Sequence, residues 1–171
     1  MALKRYGQIT NAEAYFEDNT LVGIIKELDL PEIEWETVEH ETLGQVAVFK
    51  APARPLKALE GEMTFGFVEP TIAGMTYMPT KAFTFQLHHN VDVWDQNGLS
   101  MEESFKLVTV VRVLFHSSKL GGSKLGDLVD HKVKFTCNRF VQSVYQTGEE
   151  LIGVDVMANR AWNRDGEIWP S

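Results

Sequence analysis

Apolar residues recur along this chain mostly at every second position, the spacing that turns one face of a β-strand toward a core. The longest such stretch runs from Ser104 to Lys134. It reads as a strand, SFKLVTVVRVLFHSS, a glycine-rich connection, KLGGSKLGD, and a second strand opening with LVDHKVKFTCNRF. Phe105, Leu107, Thr109, Val111, Val113 and Phe115 fall on one face of the first strand, and Val108, Val110 and Leu114 on the other. With both faces apolar, this strand is expected in the middle of a sheet covered on each side, by the chain's own second sheet and by a neighbouring copy.

The flanking segments predict further strands. Residues 1–11 form a polar N-terminal arm without a clear period, and two short apolar runs around Asp18-Asn19 predict a β-hairpin between Ala12 and Lys26. After a break at Leu28-Asp29-Leu30-Pro31, acid and apolar residues alternate, placing Glu32, Glu34 and Glu36 on one face and Ile33, Trp35 and Thr37 on the other. Such a stripe fits a solvated outer face, or the wall of an acidic channel. Paired glycosidase carboxylates are a third reading that the pattern matches poorly, because that chemistry needs groups flanking a bond from opposite sides. Residues 40–57 contain a glycine, two prolines and the apolar patch Val46-Ala47-Val48-Phe49, without a partner turn of their own. They read as a protruding flap that buries Val46, Val48 and Phe49 against another subunit, or folds back on its own domain.

LEGEMTFGFV, from Leu59 to Val68, is a strand. Thr71 is placed to cap one or two helical turns carrying Ile72, Met75 and Tyr77, with Pro79 as the stop. Ala82 to Trp94 is a long strand closed by the hairpin signal Asn97-Gly98. Beyond the central pair, Gln146-Thr147-Gly148-Glu149 turns the chain and Glu150 to Met157 pairs back. The tail, residues 158–171, holds Trp162 and Trp169, which are expected to anchor it on its own domain or a neighbour.

At 171 residues the chain supports one well-buried domain. A net charge of −8 argues against a dedicated nucleic-acid binder, since phosphate neutralisation needs clustered Lys and Arg. The single cysteine, Cys137, excludes an internal disulfide and reads as a buried thiol. No apolar run has signal-peptide or bilayer-spanning character, so a soluble, non-exported chain is expected. Catalytic constellations are missing. His88 and His89, next to Asp92, point to opposite faces of a strand, and Cys137 with His131 would stand about 20 Å apart by strand rise. There is no phosphate loop, dinucleotide fingerprint, nucleophile elbow or zinc spacing, and no metal or cofactor is expected.

The order of features resembles the major tail tube proteins of contractile-tailed bacteriophages and phage-tail-like particles. The residues that carry the likeness are EAYFEDNTLVGIIKELDLPEIEWETVE, the flap with GQVAVFKAP, the strand LEGEMTFGF, and the run from VVRVLFHSSKLGGSKLGDLVDHKVKF through VYQTGEELIGVDVMANRAWNRDGE, so that it spans Asn11 to Ile168. One departure is plain: the family carries a well-formed helix where TIAGMTYMPT offers barely two turns around Gly74.

The resemblance implies a mainly β fold of two packed antiparallel sheets, sandwich or barrel, with one short helix and a long protruding hairpin. Its strands would join a hexameric β-barrel ring, and rings would stack into a tube inside a sheath. It implies the tail of a virion assembled in a bacterial cytoplasm, and self-assembly with sheath, baseplate and terminator proteins as partners. DNA would pass without specific binding, and no stable membrane association is implied. Val46, Val48, Phe49, Leu120, Leu125 and Trp162 are then the expected subunit contacts, and Glu32, Glu34 and Glu36 the expected lumen belt. A soluble β-sandwich binding module for carbohydrate, with Trp35, Trp94 and His89 as platform, is the alternative. A small β-barrel enzyme using His88 or His89 is a third reading.

Overall fold

The structure is a computed structural model that describes residues 5–17, 20–21, 25–44, 46–119, 125–126 and 129–169. Its strands are β1 (Tyr6–Phe16), β2 (Thr20–Leu21), β3 (Ile25–Asp29), β4 (Trp35–His40), β5 (Phe49–Leu56) and β6 (Glu60–Phe65), followed after a short helix α1 (Pro70–Thr76) by β7 (Phe83–Asp95), β8 (Gly98–Lys119), β9 (His131–Val144), β10 (Glu150–Asp155), β11 (Arg160–Asn163) and β12 (Gly166–Trp169). A ten-stranded antiparallel sheet runs β12-β11-β10-β9-β8-β7-β1-β2, with β6 joined to β9 and β3 to β6, while β4 and β5 form a separate two-stranded sheet. This is the expected antiparallel β architecture with one short helix and a protruding hairpin. Among the described residues the single chain forms no closed barrel.

The long central strand is β8, flanked by β7 and β9: Phe85 faces Val111, which faces Phe140, and, beyond a shift in the β8–β9 register between Arg112 and Val113, Phe83 faces Val113, which faces Cys137. Alternation then decides burial. Thr109 is buried, and Val111, Val113 and Phe115 are buried with Phe16, Phe83, Phe85, Phe135, Met63 and Phe65 in one core. Ile72 and Met75 of α1 pack on this core, as do Leu30, Ile33 and Leu56 at the root of the β4–β5 hairpin. Residues of β3 and β6 and the root of the separate β4–β5 sheet share this core with α1, so the expected two antiparallel sheets with one short helix are present. The other face of β8, with Val108, Val110 and Leu114, is only half-buried, flanked by Gln86, His88, Val141 and Ser143 on the neighbouring strands. The expectation that both faces are covered holds for one face of the isolated chain.

Other sequence expectations shift in detail. Residues 6–11, read as an arm, extend β1 and pair with Trp94–Asn90 of β7. Both faces of this stretch are exposed, which is why it shows no apolar period. The hairpin after β1 exists, Phe16 facing Thr20 and Tyr15 facing Leu21, but its Asp18-Asn19 turn lies outside the described residues and β3 leaves to pair with β6. Glu69, not Thr71, stands at the N-cap of α1, with Pro70 beginning the first turn. The helix is fastened by Thr76, whose Oγ1 lies 3.1 Å from Nε2 of the buried His131, a ring stacked on Phe65 and met edge-on by Tyr77. Gly61 admits the close crossing of β6 over Phe135: a Cβ there would stand 2.5 Å from that ring.

Candidate assembly surfaces

The β4–β5 hairpin stands away from the core. Trp35 pairs with Leu56 at its root, and pairing runs through Thr37 with Pro52 and Val38 with Ala51 to His40 with Phe49. The flap expected over 40–57 is therefore the tip and the returning strand of this hairpin, and its partner strand is the acidic segment before it. Every residue from Glu36 to Gly44 is exposed, as are Val46 to Lys50. Val48 and Phe49 are 49% and 60% exposed, and Leu43 and Val46 have no cover at all. An apolar tip of this kind, contiguous and unscreened, is the sort of surface that marks contact with another macromolecule.

At the hairpin root Glu32, Glu34 and Glu36 are all exposed while Ile33 and Trp35 between them are half-buried. The three carboxylates gather around Lys57, whose Nζ lies 2.5 Å from Glu34 Oε1. That hydrogen bond, helped by the fields of Glu36 and Glu32, holds the Lys57 ammonium above the ordinary lysine range.

A second surface is the far end of the β1–β7–β8 ribbon. Tyr6 faces Trp94, which faces Leu99, making an exposed apolar row across three strands. Among the described residues β1 pairs on its outer side only at Tyr15 and Phe16, so residues 6–14 present a free edge. On the other side of the ribbon, among the described residues, β8 has no strand partner before Leu107, though its Lys106 N–H donates to Gln146 Oε1 and its Lys106 carbonyl accepts from the Tyr145 N–H, and it bulges between Ser100 and Phe105, opposite Val91 and Val93. Ser104 holds the bulge, its Oγ donating to Ser100 O at 2.7 Å and accepting from the Val93 N–H at 3.1 Å.

The remaining candidates are scattered. Leu125 is fully exposed, and Leu120 lies outside the described residues. Trp162 is half-buried on its own chain, stacked on Gly153, with its Nε1–H donating to Glu150 Oε2 at 2.5 Å. The tail around it is not loose: β11 and β12 continue the sheet, and Ile168 and Trp169 pack on the core. His88 shares a face with Glu13 and lies 4.9 Å from the Tyr15 ring, its two nitrogens shielded and without hydrogen-bond partners. Burial, then the nearby Lys106, lowers its pKa against the opposing pull of Glu13, and burial lowers that of His89. Trp94 stands five residues beyond His89, about 16 Å by strand rise, and Trp35 belongs to the other sheet, so no aromatic platform forms. Burial pushes the Cys137 thiol up to about 11, the property of an unreactive core sulfur. Among the described residues no group of three or more metal-ligating side chains converges. Neither the free edge of β1 nor the His131–Thr76 fastening was found from the sequence: the first has no apolar period, the second no motif.

The sequence profile of the family described as phage tail tube protein FII matches residues 7–166. No curated protein matches the sequence. Solved structures share the fold at low identity. A chain of an extracellular contractile injection system, in its PVC sheath–tube complex in the extended state, is 10% identical with a TM-score of 0.54, over 80% of this chain and 90% of that one. A chain of the tube-terminating cap of the anti-feeding prophage is 12% identical with a TM-score of 0.55, over 84% of this chain and 94% of that one. The profile extends from the start of β1 to the start of β12, across both surfaces just described, and on that match the chain belongs to the phage tail tube protein FII family.

Proposed function

We propose that this chain builds the inner tube of a contractile tail by stacking ring upon ring, with the β4–β5 hairpin as the stacking element. Membership of the family makes it a structural tail-tube component of a virion or tail-like particle. The observation that carries the finer reading is the hairpin itself, which stands out from the core and leaves Val46, Val48 and Phe49 exposed. The free edge at residues 6–14 supports ring closure, because unpaired strand amides and carbonyls are satisfied by a strand of the next subunit. A rotation that closes gives a hexameric ring, and head-to-tail contact along the axis extends without limit.

In such a tube Glu32, Glu34 and Glu36 face the lumen as repeated acidic belts. Like charge keeps DNA from sticking in transit, because the cation beside these carboxylates, Lys57, is already engaged by Glu34. In a headless particle the same tube pierces a membrane instead. Leu120 and Leu125 of the glycine loop join the contacts between subunits, while Trp162 acts by holding the tail in shape for them. The sheath, baseplate and tail terminator are the partners. Solved relatives come from a sheath–tube complex and a tube-terminating cap, which supports that set. Negative-stain microscopy of the purified protein, with its mass in solution, tests the reading: rings or tubes are expected, and a monomer at high concentration overturns it.

A further inference from the structure

We infer that the hairpin tip of one subunit is received by a cavity at the hairpin root of a second copy, an inference that rests on the stacking reading above. The cavity measures about 380 Å³ and lies between Leu56 and Leu59 on one side and Val154, Ala161 and Trp169 on the other, with Cys137 among its lining residues. It sits at the lower end of the roughly 300–1,000 Å³ range of binding pockets, a size suited to a few aliphatic side chains. Lys57, Asp155 and Arg160 also line it, Lys57 held by Glu34 and Arg160 by Glu167, and burial raises the Cys137 pKa so that the thiol adds no charge.

The guest is argued from the chain's own surface. Leu43 and Val46 are fully exposed at the tip, and a subunit cannot fill its own cavity with them. From Phe49, the last paired residue before the tip, to Leu56 at the cavity wall is seven strand steps, about 23 Å. Knob and hole therefore lie at opposite ends of one rigid ladder, and only another copy brings them together.

Charge points the same way. Arg54 lines the cavity, exposed and with no ion pair among the described residues. Glu41, two residues from Leu43, is likewise exposed and has no ion pair among the described residues. Docking the tip in the cavity sets an acidic flank beside a free guanidinium, the complementarity that fixes register between partners. Because the two surfaces differ, the contact is heterologous and propagates along an axis.

A photoreactive benzoyl-phenylalanine placed at Leu43 of the full chain tests this, using mixed isotope-labelled and unlabelled subunits so that products between copies are recognised. Cross-links to peptides holding residues 54–59 or 154–161 of the other copy are expected. Cross-links from intact tubes to any other surface, or a cavity occupied by the sheath protein, overturn the cavity assignment and leave hairpin stacking standing. Subunits that form no assemblies at all, and so no products, overturn both. A charge swap gives a second arm. Arg54→Glu is expected to raise the concentration needed for tube formation at least tenfold, and adding Glu41→Arg to restore it. Failure of the double variant to recover overturns the Glu41–Arg54 pairing.

Discussion

The indole of Trp162 rests on Gly153 across the β10–β11 pair, so closely that a Cβ at position 153 would lie 2.2 Å from the ring. The glycine is the floor on which the C-terminal strands are laid, and the Nε1–H bond to Glu150 pins the far side of the ring. Gly153→Ala is therefore expected to lift Trp162 and destabilise the subunit by about 1–3 kcal/mol, the usual cost of overpacking. Thermal unfolding and Trp fluorescence check it: an unchanged midpoint with unshifted emission would contradict the contact.

His131 couples the helix to the sheet. Its ring, 3% exposed, fills the space between Phe65 and Tyr77, and its Nε2 is shared by Thr76 at 3.1 Å and Ser118 at 3.3 Å. His131→Ala is expected to cost about 2–4 kcal/mol through the cavity it leaves and the hydroxyls it strands. Amide hydrogen exchange is expected to rise first in residues 70–76. Exchange that rises uniformly along the chain would speak against a local fastening.

Val48 and Phe49 separate folding from assembly. Both are exposed in the single subunit, so Val48→Asp with Phe49→Asp should shift its stability by only about 0.5 kcal/mol. Placed in an apolar contact, the same charges are costly. A subunit with an unaltered unfolding curve that forms no tubes is expected. Tubes of normal length from this variant would remove the hairpin from the stacking contact.

The histidine pair sets a pH dependence. Burial lowers the folded-state pKa of both His88 and His89, so between the ordinary histidine pKa near 6.5 and the lower folded values the unfolded chain binds more protons. Stability then rises with pH through that window and falls as solution is acidified below about pH 6.5. Denaturant midpoints measured from pH 7.5 to 5 should decline, and the His88→Gln, His89→Gln variant should decline less. Parallel curves would show that other groups carry the dependence.

The parts of this fold that could be read in advance are those where burial and strand period coincide. Val111, Val113 and Phe115 declared β8 because one face of that strand is sealed, and Asn97-Gly98 declared the turn before it, where Gly98 takes a φ of 113°. The first half of β1 gave no such sign, since neither of its faces is buried and its course is set by pairing with β7. The β4–β5 pairing was obscured by Pro52 and Pro55, residues that argue against a strand and are tolerated here because the hairpin is all edge. The apolar tip was visible as Val46-Ala47-Val48-Phe49. The cavity at the root was not, because its walls come from segments about a hundred residues apart whose approach only the folded sheet decides.

Those same prolines give the hairpin a directional character. A two-stranded ribbon exposed along its whole length would ordinarily recruit further ribbons sideways and grow into an unregulated sheet. Pro52 and Pro55 deprive β5 of two amide donors, which makes the strand a poor template for lateral growth. The ribbon thus resists fusing sideways with its neighbours, which leaves the apolar tip as the part of the hairpin open to contact.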